Sequence, residues 1–281
     1  MQSLFQQAKN CFLTADPEQK IEKTFELTSS WQAGNLSWDK NESIELFDEP
    51  GRLPKPEIVM PKELGKRKPG SEKGRATLIH ALAHIELTAV NLAWDAIVRY
   101  RDMPKEFYDD WTQCAKEEAT HFSMLRTRLQ EMGYDYGSFP VHNELWKMAI
   151  ETKDAMSDRM AVVHRVFEAR ALDVVPGTIK RFDNIGDHFM VKTLNLICDE
   201  EVGHVSSAAH WFRYRCHQQQ KDPDAEFFQL LKRYMRSPPR GPFNHVVRLQ
   251  AGFSQNELDF LDKNSPNKNW EVKSPLPLGK G

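Results

Sequence analysis

The sequence predicts an all-α fold organised as a four-helix bundle, on three observations. Between Ser71 and about Gln219 apolar residues recur at the helical period, and no segment is rich in strand-forming alternation. Proline and glycine fall at the ends of these stretches and leave their interiors largely clear. Two Glu-x-x-His pairs, Glu118/His121 and Glu201/His204, each follow a lone Glu at nearly the same distance: 32 residues from Glu86 to Glu118 and 33 from Glu168 to Glu201.

The elements follow in order. Asp16-Pro17 reads as an N-cap and a first-turn proline opening a short helix to about Thr28. After Gly34-Asn35 come Pro50, Pro54, Pro56, Pro61 and Pro69, a density that excludes a long helix and predicts an extended arm, so that residues 1–70 form an N-terminal region laid over the main domain. Ser71 precedes the first long helix, with Ile79, Leu82, Ala83, Glu86, Val90, Ala93 and Ile97 at helical spacing, ending before Met103-Pro104. The second runs from near Pro104 to Gly133 and carries Trp111, Ala115, Glu118, Phe122, Leu125 and Leu129 on one stripe. The third is expected from about Asn143 to Asp173, ending before Pro176-Gly177. The fourth starts between Asn184 and His188 and continues to about Gln219, with Leu194, Ile197, Glu201, Val205, Ala208 and Phe212 inward. These four make a bundle over 71–221. The extension 222–281 is expected to hold one helix, Ala225 to Met235, then polar irregular chain with a disordered last ten residues.

Bulk properties bound the function. With 281 residues and 40% apolar content the chain can bury a sizeable core, and a formal charge of −2 with 28% charged residues argues against a broad nucleic-acid footprint. No apolar run approaches the ~20 residues of a membrane span, and the opening MQSLFQQAKN lacks the layout of a secretory signal, so the cytoplasm is the expected location. Cys11, Cys114, Cys198 and Cys216 form no C-x-x-C and read as free buried thiols, with Cys114 and Cys198 one turn before Glu118 and Glu201.

A Glu and a His three residues apart project from one helical face. Ten His and 22 Glu would give roughly 0.8 such pairs by chance, so the motif alone is weak. Its placement says more, because the two pairs lie 83 residues apart in matching positions of two hairpins and the lone Glu residues lie 82 apart. Glu86, Glu118, Glu168 and Glu201 fall within apolar stripes, where unpaired carboxylates cost several kcal/mol. Two divalent cations would balance the four negative charges. The expected ligands are therefore Glu86, Glu118, His121, Glu168, Glu201 and His204. Carboxylate and imidazole ligands without thiolate point to iron first, with di-manganese or a mixed iron/manganese pair left open. Glu117 and Glu200 are candidates to hydrogen-bond an imidazole, and His164, one turn before Glu168, is a core histidine or a neighbour of the site. His80 and His84 point away from the Glu86 face. Gly203 either lets another helix approach closely or leaves room beside the metals.

The ligand pattern resembles the ferritin-like di-iron carboxylate superfamily. More narrowly, His80-Ala81-Leu82-Ala83-His84-Ile85-Glu86, Glu168-Ala169-Arg170-Ala171-Leu172-Asp173 and Gly241-Pro242-Phe243-Asn244 resemble the bacterial ferritin-like family of uncharacterised proteins known as domain of unknown function 455, over about Pro50 to Phe253. The resemblance implies a ferritin-like bundle with a metal centre and no assigned reaction. An oxygen-activating oxidase or hydroxylase is the leading expectation, and a non-catalytic iron-binding or iron-sensing protein is the alternative. Partners expected are a small-molecule substrate or dioxygen, an electron-donor protein and a second copy of the chain in a homodimer, with no membrane. Nucleic acid is disfavoured, since Lys232, Arg233, Arg236 and Arg240 read first as a solvated basic face.

Overall fold

The computed structural model describes residues 2–65 and 70–265, and these are predominantly helical. The chain divides into two compact units: Met1–Ile150 with Ile179–Asn195, and Glu151–Thr178 with the described part of Leu196–Gly281.

In the first unit, α1 (Leu4–Leu13) is capped by Ser3 and α2 (Pro17–Gln32) by Asp16, whose side chain accepts from the Gln19 amide with Pro17 at the first helical position. Each such cap is worth about 1 kcal/mol. α1 was not foreseen, and α2 runs a turn beyond Thr28. A two-residue parallel pairing joins β1 (Gln2–Ser3) to β2 (Leu36–Ser37). The proline-rich arm stays largely irregular, and its backbone is taken up by its neighbours. Val59 N–H donates to Val141 C=O at 2.8 Å, Arg99 donates to Phe47 C=O at 2.6 Å and Trp146 Nε1 donates to Asp48 C=O at 3.0 Å.

α3 (Glu72–Arg99) starts at Ser71, whose hydroxyl accepts from Gly74 N–H, and α4 (Lys105–Glu131) follows Pro104, which stands at the N-cap. Gly133 ends α4 at φ +78, a conformation that favours glycine. By length and composition α3 could cross a membrane, yet 72% of its apolar window is buried, as in the core helix of a soluble protein. Trp94 of α3 donates to Thr24 of α2 at 3.0 Å, and Trp31 of α2 donates to Asp109 of α4 at 2.8 Å, so the N-terminal helices are fastened to the α3–α4 hairpin by buried or half-buried polar bonds. α8 (His188–Gln218) begins where Asp187 accepts from Met190 N–H at 3.1 Å and pairs with Arg128 at 2.9 Å.

The third long helix departs from expectation. In place of one helix from Asn143 to Asp173, the chain forms α5 (Glu144–Glu151), breaks, and resumes as α6 (Met156–Arg159). It then widens into a π-helical stretch, Met160–Glu168, and continues as α7 (Arg170–Asp183) straight through Pro176. Proline there cannot donate to the carbonyl of Leu172. Asn244 Nδ2 reaches that carbonyl at 3.4 Å, a tertiary substitute for the missing bond.

The C-terminal segment is also more ordered than expected. After α9 (Pro223–Tyr234) come α10 (His245–Gln250), capped by Asn244, and α11 (Gln255–Asn264), opened by a capping box of Ser254 and Glu257. The last ten residues lie outside the described ones.

Candidate metal centre

Glu86 sits mid-way along α3, and Glu118 and His121 lie one turn apart on α4. All three are buried, at 4%, 1% and 0% exposure. His121 Nδ1 lies 3.2 Å from Glu86 Oε2 and 3.4 Å from Glu118 Oε2, so one imidazole nitrogen faces both carboxylates. One ligand atom from each residue falls within 4.8 Å of the others, so the group can hold a metal ion.

These distances are long for hydrogen bonds and suit donor atoms around one ion. Atoms bound at about 2.1 Å lie about 3.0 Å apart at right angles and about 3.4 Å apart at a tetrahedral angle. The electrostatics agree. Burial pushes the Glu86 carboxyl well above the usual carboxylate range, the neighbouring Glu118 adds to the effect, and His121 offsets it only in part. A cation relieves both causes, so the donor set fits a hard or borderline divalent metal.

In the second unit, Glu201 and His204 lie one turn apart on α8, both buried, with His204 Nδ1 3.8 Å from Glu201 Oε2. Glu168 closes the π stretch, also buried, and Oε2 is held at 2.6 Å by His164 Nδ1 from the preceding turn. A hydrogen bond from Ala169 N–H to His164 C=O spans five residues, the π pattern, and such bulges recur at functional sites. Glu117 is half-buried and accepts from Gln113 at 2.6 Å, and Glu200 is half-buried. A Cβ on Gly203 would meet nothing within 4 Å, so close approach of another helix is not what this glycine serves. His80 accepts from Gly137 N–H at 2.9 Å and His84 Nδ1 pairs with the Tyr136 hydroxyl at 2.7 Å, both occupied by the loop after α4. Cys198 is only half-buried, unlike the other three thiols.

Sequence reasoning missed what holds Glu168 in place. Asp173, one turn beyond it, accepts from Arg248 through two bonds at 2.9 and 2.8 Å and from Asn244 N–H at 2.9 Å, while Arg248 also donates to Ala169 C=O at 3.2 Å. Arg165 is fully buried, bonded at 2.6 Å to the equally buried Glu257, with its guanidinium 4.6 to 5.2 Å from the rings of Phe227, Phe253 and Phe212. The two late sequence segments that carried the family resemblance thus meet in one buried polar joint.

This arrangement defines a helical protein whose buried carboxylate and imidazole groups can hold a metal. A family profile described as "Protein of unknown function (DUF455)" matches residues 13–259, and the chain belongs to that family. A protein of Haemophilus influenzae, described as uncharacterized, is 36% identical over 273 residues, covering 92% of this chain and 93% of that one. No solved structure matches.

Proposed function

We propose that Glu86, Glu118, His121, Glu168, Glu201 and His204 together hold two metal ions, iron in preference to manganese, in a ferritin-like four-helix bundle, and that the protein is an oxygen-activating oxidase or hydroxylase. The observation that carries this reading is the buried trio Glu86, Glu118 and His121, whose spacing and charge suit a cation. The second unit supports it with an equivalent buried set, Glu168 with Glu201 and His204, at the same sequence spacing.

When bound, an iron pair would supply reduction of dioxygen and oxidation of a substrate C–H or other oxidisable group. The chain's own residues would orient the ligands and exclude water. His121 Nδ1 would face the ion beside Glu86 and Glu118, and His164 would fix the orientation of the Glu168 carboxylate through its Nδ1 contact. Electrons would come from a separate donor protein.

Anaerobic reconstitution with ferrous ion, followed by oxygen exposure, tests the reading. Two irons bound per chain, a transient absorbance and oxygen uptake are expected. Metal binding without oxygen uptake would sink the oxidase and leave an iron-binding or iron-sensing protein, whereas failure to bind two ions would sink the centre itself.

A further inference from the structure

A pocket of about 510 Å³ opens in the first unit between the proline-rich arm, α2 and α3. Its charged lining residues are Lys20, Arg52 and Lys55, with no Asp or Glu, in a chain where acids outnumber Lys and Arg by 40 to 38.

Lys20 is 1% exposed, and its ammonium donates to the carbonyls of Phe12 at 3.0 Å and Gly51 at 3.3 Å and to Asn91 Oδ1. Asn91 is turned to present that oxygen because its amide nitrogen donates to Leu87 C=O at 3.0 Å. Three protons meet three acceptors, the full complement of an ammonium group, and every acceptor is neutral. The hydrogen bonds therefore favour the charged form and leave the charge uncompensated. Burial opposes them, drawing the pKa down to about 7, with Cys11 offsetting the fall and Arg52 adding to it. A buried charge without a counter-ion is costly, and an anion beside it recovers part of that cost.

The rest of the pocket matches an anion with an apolar body. Arg52 has one ion pair among the described residues, a 3.7 Å contact to the exposed Glu49, of the kind worth little in water. Lys55 is exposed and has no ion pair among the described residues. Leu53 and Ile58 remain 42% and 40% exposed, uncovered apolar surface beside three cations. On α3 the lining residues His84, Thr88 and Asn91 occupy the helical face opposite Glu86, so the pocket is separate from the metal ligands.

We propose that this pocket binds a small organic acid, its carboxylate held by Arg52 and Lys55 above the buried Lys20 ammonium and its apolar body against Leu53, Ile58 and Leu87. A guanidinium fork suits a carboxylate, and the apolar wall separates such a ligand from a bare inorganic anion. The inference stands independently of any metal.

Calorimetric titration of the full chain, metal-stripped and metal-loaded, with hexanoate, its neutral analogue hexanamide and inorganic phosphate tests this. Hexanoate is expected to bind saturably at one per chain in both metal states, Arg52→Gln to weaken it at least tenfold, and hexanamide to give no measurable binding. Arg52 lies at the surface, so its variant keeps the test valid if Lys20→Met fails to fold. Hexanoate binding no better than hexanamide, or unchanged by Arg52→Gln, would overturn the site. Phosphate binding as tightly as hexanoate would overturn the organic acid, and binding lost on metal removal would move the carboxylate to the metals and also overturn it.

Discussion

The Glu86 half of the chain and the Glu168 half carry one ligand spacing on two differently built supports. α3 and α4 are unbroken helices set by capping and by long apolar stripes, and their glutamates converge on a single imidazole nitrogen. The Glu168 support is a broken helix with a π stretch and an internal proline, held by two buried ion pairs from the C-terminal segment. Apolar packing alone suffices where the backbone is regular. Where it is irregular, specific polar bonds fix it, and these are worth most when one partner is taken away.

The sharpest way to break the comparison is Glu257→Ala. It strands the buried Arg165 guanidinium and should cost about 3 to 5 kcal/mol in chemical denaturation. It should also loosen the Glu168 turn, read as faster amide exchange over 160–168. A loss below about 1 kcal/mol would show that the aromatic cage alone holds Arg165.

Next is Gly51→Ala, because a Cβ there would lie 2.0 Å from the Leu13 carbonyl oxygen. The backbone must shift, and a drop of about 1 to 3 kcal/mol is expected, confined to the first unit. Unchanged stability would show that the arm yields freely.

A third prediction concerns pH. The Lys20 pKa falls from 10.5 to about 7 on folding, so between these values the unfolded chain holds a proton that the folded chain has released. Stability should therefore rise with pH in that window, by up to about 1.4 kcal/mol per unit, and be indifferent to Lys20 below it. Cys11, raised from 9.0 to about 11, acts in the opposite sense above pH 9, which leaves pH 7 to 9 as the clean interval. The slope measured there should flatten in Lys20→Met, and an identical slope in both proteins would refute the linkage.

The smallest effect is expected from Glu118→Gln. Removing one of two crowded carboxylates should stabilise the metal-free chain by up to about 1 kcal/mol, while weakening metal uptake. A destabilised metal-free variant would mean that Glu118 is retained for structure.

These tests fall where sequence reading succeeded and failed for physical reasons. Ser71, Pro104, Gly133 and the stripes between them marked α3 and α4 because local capping and periodicity agree there. The burial of Glu86, Glu118, Glu168 and Glu201 was legible from those stripes. α11 carried a readable signal, Ser254 followed three residues on by Glu257, which the polar look of the segment hid. The π stretch was not legible, since Met160 to Glu168 is apolar enough to suit several helical registers. Helix α7 runs through Pro176 with help from Asn244, 68 residues away in sequence, which no local rule can anticipate.

The π stretch also bears on how this chain tolerates length change. A π turn holds one residue more than an α turn, so losing a residue between Met160 and Glu168 could be absorbed by tightening to α geometry, with the later ligands kept in phase. The same loss within α3 would rotate everything beyond it by about 100° and carry Glu86 off its face. The second half of the molecule thus holds a spare residue in its gearing, whereas the first half runs without slack.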